Sequence, residues 1–122
     1  MRSITWAEVR AMAEGVAKAI EDDIMYVDSF KVYPVPRGGI YAALLLLECY
    51  ADEIEIVENP EEADLIIDDI IDTGYTKNSY KQLCPGVPFF ALTVRLDEWI
   101  EFPWERAVGD VPETKQGTVV PQ

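Results

Sequence analysis

Residues 65–76 read LIIDDIIDTGYT, and this stretch decides the fold. An apolar run reaches two adjacent acids, a third acid follows three residues later, and a Thr-Gly turn then opens a helix. Nearly continuous apolar character is typical of a strand covered on both faces of a parallel sheet. Paired carboxylates at its end can accept hydrogen bonds from vicinal hydroxyls and help to anchor a hard cation, while free amides at 73–76 can bind a phosphate. The stretch therefore predicts a pocket for a ribose diol and its 5′-phosphate.

Strands and helices alternate through the remainder of the chain. Thr5 and Glu8 form a capping-box pattern at the start of an amphipathic helix, and an apolar second helix is predicted to be buried almost all round. This alternation predicts an α/β fold with an open, mainly parallel twisted sheet and flanking helices, whose ligands bind beyond the carboxyl ends of the strands. The predicted helices span residues 5–20, about 40–50 and about 76–83, and the predicted strands span 30–35, 53–57, 65–71 and 87–94.

A second glycine turn, VPRGG at 35–39, also follows a strand and leads into a helix. Its amides and the helix dipole can receive an anion, and Arg37 adds a guanidinium group. Taken alone this turn is weak support, because strand, Gly-Gly turn and helix occur together in many folds for steric reasons. The acids of 68–76 are more specific, although a solvated acidic cap is the alternative interpretation.

Composition limits the kinds of function. The 122 residues, 49% of them hydrophobic, predict one domain at 1–105 followed by a polar C-terminal tail at 106–122. With 10 basic and 23 acidic side chains, the net charge of −13 disfavours nucleic acid and anionic membranes as partners. The longest apolar run, 40–47, is too short to span a bilayer, so we expect a soluble cytoplasmic protein.

The residue types also limit the chemistry. The chain has no histidine, which excludes a histidine-based triad and a histidine zinc site and leaves acid/base chemistry to carboxylates. Its two cysteines, Cys49 and Cys84, form no motif, and we expect both to be small buried apolar residues.

Together, VPRGG and LIIDDIIDTGYT resemble the pyrophosphate loop and the phosphoribosyl-pyrophosphate signature of the type I phosphoribosyltransferases. ITWAEVRAMAEGVAKAI at 4–20 and WIEFPWE at 99–105 resemble the opening helix and base-binding segment of bacterial xanthine-guanine phosphoribosyltransferases. The resemblance implies a purine phosphoribosyltransferase that uses phosphoribosyl pyrophosphate (PRPP), a purine base and Mg²⁺. It also implies a homo-oligomer, a dimer or higher.

Carried over by position, the resemblance implies that Asp68 and Asp69 bind the ribose hydroxyls, with Asp69 the magnesium ligand. Asp72 would act as a general acid/base at the imidazole edge of the purine. The implied 5′-phosphate-binding residues are Asp72, Thr73, Gly74, Tyr75 and Thr76.

The implied pyrophosphate-binding residues are Arg37, Gly38 and Gly39, with Arg37 also catalytic and the peptide bond entering it cis. In the base-binding segment, Trp99 would stack on the purine. Arg95 would recognise the 6-oxo group, and the main chain of Ile100 with the Glu101 carboxylate would read the exocyclic group.

Two departures from the family leave alternatives open. Residues 51–63 stand where family members have a long mobile lid. Only residues 96–98 connect the last strand to the base-binding segment, so the hood, which is the part of the family fold that covers the base, is minimal. A site that admits water loses electrostatic catalysis. The alternative function is therefore a non-catalytic module that binds PRPP or a nucleotide. A purely structural interaction domain would leave the register of the acids unexplained.

Overall fold

This computed structural model describes residues 2–23, 29–50, 53–95 and 98–105. Strands and helices alternate along the chain, as the sequence predicts. The strands are β1 (Arg2–Ser3), β2 (Phe30–Pro34), β3 (Ile54–Ile56), β4 (Leu65–Ile71), β5 (Phe89–Val94) and β6 (Ile100–Glu101). The helices are α1 (Trp6–Asp23), α2 (Gly38–Tyr50) and α3 (Tyr75–Leu83), with a 3₁₀ turn at Pro60–Glu62. The predicted tail at 106–122 lies outside the described residues.

Four parallel strands form the main sheet in the order β3-β2-β4-β5, which confirms the predicted fold class. On β4, Leu65 and Ile67 pack into the core beneath α1 and α2, whereas Ile66 packs on the opposite face with Cys84. All three β4 side chains are fully buried because helices cover both faces of the sheet. The continuous apolar run therefore marks the strand at the centre of the fold.

The predicted capping box begins α1. The Glu8 amide donates to Thr5 Oγ1 at 3.1 Å, and the Thr5 amide donates to Glu8 Oε1 at 2.9 Å. The hydrogen bond from the Thr5 amide is the main cause that lowers the pKa of Glu8. These reciprocal bonds satisfy amides that the first turn of a helix leaves without carbonyl partners.

Helix α2 departs from the prediction in two respects. It begins at Gly38 rather than near residue 40, so both glycines of the turn belong to its first turn. It is also not buried all round, because it packs on the sheet and α1 from one side, leaving Ile40 and Leu44 45% and 54% exposed. The cysteine prediction holds for Cys84, which is buried, and is wrong for Cys49, which is exposed at the end of α2.

A small second sheet, formed by β1 and β6 in parallel, is the hood of the molecule. Two-residue strands are too short to show a period-two pattern, so the sequence does not reveal this pairing. Trp104 anchors the segment after β6, because its ring stacks on Tyr41 and on Phe102, each at a centroid distance of 4.7 Å. In the described ranges no helix combines the length and apolar character needed to cross a membrane.

Candidate functional site

The two glycine-bearing turns meet at one edge of the sheet, because β2 and β4 are parallel neighbours whose carboxyl ends lie side by side. Between them is a cavity of about 280 Å³. Its polar lining comes from Asp68, Asp69, Asp72, Thr73, Thr76 and Lys77, and Gly38 and Gly74 also line it. Most residues of the predicted ribose and phosphate sites therefore share one cavity. Arg37 and Tyr75 are exposed outside its lining, and Gly39 is buried.

Asp68 and Asp69 are adjacent carboxylates in the C-terminal half of β4. The Asp69 amide donates to Asp68 Oδ1 at 2.8 Å, and Asp68 is only 9% exposed. Burial raises the pKa of both carboxyls, and for Asp69 the hydrogen bond and negative charge of Asp68 add to burial and bring the pKa to about 7. Buried like charges favour ligands that supply positive charge or hydroxyl donors.

The carboxylate oxygens of Asp68 and Asp69 suit magnesium, which prefers oxygen ligands and often binds through one or two carboxylates together with substrate phosphates. Within the described ranges, no group of three or more histidine, cysteine or acidic side chains could hold a metal on its own. Asp69, with Asp68 beside it, could therefore hold the ion together with oxygens from water and from a substrate.

The β2–α2 turn packs directly against the acidic pair. A Cβ atom added to Gly38 would collide with the Asp69 carboxylate, and one added to Gly39 would lie 2.5 Å from the Ile67 carbonyl oxygen. A side chain at residue 39 would therefore press on the backbone, whereas one at residue 38 would have to displace the Asp69 side chain. The peptide bond entering Arg37 is cis, as the family resemblance implies.

The β4–α3 turn presents the start of a helix to the cavity. Gly74 is the N-cap with φ +87°, and the Tyr75 amide donates to Thr73 Oγ1 at 3.2 Å. The amides of Thr76 and Lys77 have no carbonyl partner within the helix, which suits them to an anion. The sequence-based prediction ended the site at Thr76 and missed Lys77, because a single lysine in the first turn of a helix has no distinctive spacing.

An ion pair links the cavity to the base-binding segment. Arg95 Nε lies 2.7 Å from Asp72 Oδ1, and the guanidinium carbon lies 5.1 Å from the centroid of the Trp99 ring. Trp99 is 57% exposed, so much of its surface remains open for stacking. The predicted acid/base residue and two of the predicted base-binding residues therefore form one contiguous group.

The hood fixes the other two residues that the sequence predicts to bind the base. The carbonyls of Trp99 and Glu101 accept hydrogen bonds from the Arg2 amide of β1 at 2.8 Å and from the Ile4 amide just after it at 2.9 Å. Because carbonyls alternate in direction along a strand, that of Ile100 points away from β1. The Glu101 carboxylate accepts a hydrogen bond from the Ser3 hydroxyl at 2.9 Å, which restricts its orientation.

No protein-family model matches the chain. The structure is similar to that of Helicobacter pylori xanthine-guanine-hypoxanthine phosphoribosyltransferase, with TM-score 0.66 and 16% identity over 89% of this chain and 96% of that one. It is also similar to a Pyrococcus horikoshii purine phosphoribosyltransferase, with TM-score 0.62 and 18% identity over 94% and 98% of the two chains. A hypothetical protein from Neisseria gonorrhoeae, solved with bound ppGpp, gives TM-score 0.60 and 16% identity over 85% and 89%. The chain has the type I phosphoribosyltransferase fold.

Proposed function

We propose that this protein is a purine phosphoribosyltransferase. It transfers the phosphoribosyl group of PRPP to guanine, xanthine or hypoxanthine and yields a nucleoside monophosphate and pyrophosphate. The observation that carries the proposal is the continuity of the site. One cavity contains the acidic pair and the phosphate turn, and the Asp72–Arg95 ion pair connects it to the exposed Trp99.

In this proposal the cavity binds the sugar phosphate. Asp68 and Asp69 accept hydrogen bonds from the two ribose hydroxyls, which relieves part of the cost of burying adjacent carboxylates. The amides and hydroxyls of 73–76 surround the 5′-phosphate at the positive end of α3. Lys77, which lines the same cavity, adds a full positive charge.

The purine lies between the hood and the ion pair. Its ring stacks on Trp99, and the Arg95 guanidinium, held by Asp72, donates a hydrogen bond to the 6-oxo group. The Ile100 carbonyl and the Glu101 carboxylate read the exocyclic group. Asp72 lies at the imidazole edge, where it accepts or returns the proton of the reacting ring nitrogen.

The reaction displaces pyrophosphate from the anomeric carbon and needs no covalent nucleophile. Positive charge develops on the ribose ring, which the carboxylates of Asp68 and Asp69 stabilise. The turn at Gly38 and Gly39 offers amides to the leaving group, and Arg37 adds charge from the same turn. Asp69 is the residue that would hold magnesium, which supplies charge neutralisation of the pyrophosphate when it is bound.

The extent of the structural match supports catalysis. The alignments with the H. pylori and P. horikoshii proteins, which are described as phosphoribosyltransferases, cover 96% and 98% of those chains. We propose that the protein acts in the cytoplasm as a homo-oligomer, a dimer or higher, in which a partner subunit supplies the cover that residues 53–63 do not provide.

A non-catalytic nucleotide-binding module is the second candidate. Two observations favour it: the minimal hood, and the structural similarity to the N. gonorrhoeae protein solved with bound ppGpp. Such a module would use the phosphate turn and Trp99 without turnover.

The test is incubation of guanine, xanthine and hypoxanthine, each with PRPP and magnesium, with the nucleoside monophosphate and pyrophosphate measured. We expect product from at least one base, and we expect Asp72→Asn to lower kcat about 10²-fold. Glu62→Gln, which removes an exposed acid from the 3₁₀ turn outside the cavity, is the matched control.

Arg95→Gln separates the two contributions of Asp72. If Asp72 only holds Arg95 in place, Asp72→Asn and Arg95→Gln should lower kcat equally. If Asp72 is also the general acid/base, Asp72→Asn should lower kcat more than Arg95→Gln does. If the protein binds PRPP or a nucleotide tightly but forms no product with any base, the proposal of an enzyme is wrong and the non-catalytic binding module takes its place.

A further inference from the structure

Acidic side chains are absent from one long part of the sequence. Residues 73–95 contain no aspartate or glutamate, although the chain has 23 acids, and they include the bases Lys77, Lys81 and Arg95. Arg95 is paired with Asp72, so the positive charge of this segment that has no ion pair within the described residues comes from Lys77 and Lys81. This region begins at the predicted phosphate turn and continues along α3.

A second cavity, of about 300 Å³, lies in this region. Lys77 and Phe89 line both this cavity and the first one, so the two cavities adjoin along α3. Lys81 lines only the second cavity, together with the loop at 85–88. The space for a ligand therefore continues beyond the 5′-phosphate turn.

The helix dipole acts differently on the two lysines. Lys77 lies in the first turn of α3, where the dipole disfavours a cation, whereas Lys81 lies in the last turn, where the dipole favours one. The two like charges, four residues apart, repel each other. Neither lysine forms an ion pair with a residue in the described part of the chain. A multiply charged anion bound between the two lysines would offset the repulsion between them and the effect of the dipole on Lys77.

We propose that the phosphate site extends along α3 and accepts the additional phosphate of a nucleoside 5′-diphosphate or triphosphate. The inference rests on the proposed function, since the first phosphate occupies the turn at 73–76. Lys77 contacts the bridge between the first and second phosphates, and Lys81, one helical turn or about 6 Å further along the axis, contacts the second. Nucleoside di- and triphosphates then compete with PRPP for the site and inhibit the enzyme.

Calorimetry on the full chain with magnesium tests the extension with three pairs of probes: GMP and GDP, IMP and IDP, and AMP and ADP. For any base that binds, we expect the diphosphate to bind about fivefold more tightly than the monophosphate, the scale of one exposed charge pair. Lys81→Gln should bring this ratio close to one. Lys18→Gln, which removes an exposed lysine from α1, should preserve the wild-type ratio.

The outcomes separate this inference from the proposed function. Monophosphate binding with equal diphosphate affinity, or a ratio that Lys81→Gln leaves unchanged, overturns the extension and leaves the phosphoribosyltransferase proposal standing. Absence of binding by every nucleotide overturns both. A preference for the diphosphate that falls with added salt and with Lys81→Gln supports the extension.

Discussion

The two glycine turns at the edge of the sheet use the same residue for different physical reasons. Gly38 and Gly39 have no room for a side chain, because Asp69 and the Ile67 carbonyl fill the space that a Cβ would need. Gly74 has open space around it, and its requirement is the backbone angle φ of +87°. The β2–α2 turn is therefore determined by the atoms packed against it, which include the Asp69 carboxylate of the acidic pair. The β4–α3 turn depends on its own backbone conformation, which orients the amides that we predict to bind the 5′-phosphate.

Gly39→Ala should produce the largest loss of stability. The new methyl would press on the Ile67 carbonyl oxygen and lie 3.3 Å from the Pro34 carbonyl carbon, and backbone atoms move less easily than the end of a side chain. Overpacking of this kind costs about 3 kcal/mol. Urea unfolding measures it, and a loss below about 1 kcal/mol would show that the turn adapts more easily than the packing indicates.

Gly38→Ala should reduce ligand affinity more than stability. Its methyl displaces the Asp69 carboxylate, a movable side chain, so we expect PRPP affinity to fall about tenfold or more while the free energy of unfolding changes by about 1 kcal/mol. Gly15→Ala is the matched control, because nothing lies within 4 Å of its added Cβ in α1. That control should gain about 0.5–1 kcal/mol of stability and retain PRPP affinity. If Gly38→Ala leaves the PRPP affinity unchanged, the β2–α2 turn does not position the acidic pair for binding.

Gly74→Ala should cost about 1–2 kcal/mol, because an L-residue at positive φ brings its Cβ close to a carbonyl oxygen. Asparagine tolerates this conformation better, so Gly74→Asn should lose less stability than alanine at the same position. Thermal unfolding of the two variants provides the comparison. If asparagine and alanine destabilise equally, contacts rather than backbone conformation determine this glycine.

The sequence predicts the central features of the fold because they have strong local signals. The apolar run at 65–71 is central in the sheet, the capping box of Thr5 and Glu8 starts α1, and both glycine turns lie at one edge. The family resemblance is confirmed at the level of the fold. The roles of the individual site residues stay predictions.

Other features depend on contacts between distant residues and leave no local pattern. The β1–β6 pairing joins residues 2–3 to 100–101, and the Asp72–Arg95 ion pair joins the ends of two strands. The exposed side of α2 follows from its packing on one side only, which an almost wholly apolar helix does not reveal. Lys77 was missed because a single lysine after a phosphate turn has no distinctive spacing.

Asp69→Asn should give the smallest effect and test the electrostatics beside the crowded turn. Burial and the neighbouring Asp68 raise the pKa of Asp69 from 3.8 to about 7. The carboxyl of Asp69 therefore contributes fully to the free energy of unfolding below pH 3.8, and this contribution is lost as the pH rises through about 7. Asparagine cannot ionise, and the variant should therefore be more stable than wild type by about 1 kcal/mol at pH 8, a modest gain because water reaches part of the carboxyl. Unfolding in urea across pH 4–8 measures the difference, which should vanish near pH 4. Glu62→Gln removes one exposed charge and controls for the general repulsion of a chain with net charge −13. If the two variants show the same pH dependence, the acidic pair is not electrostatically strained.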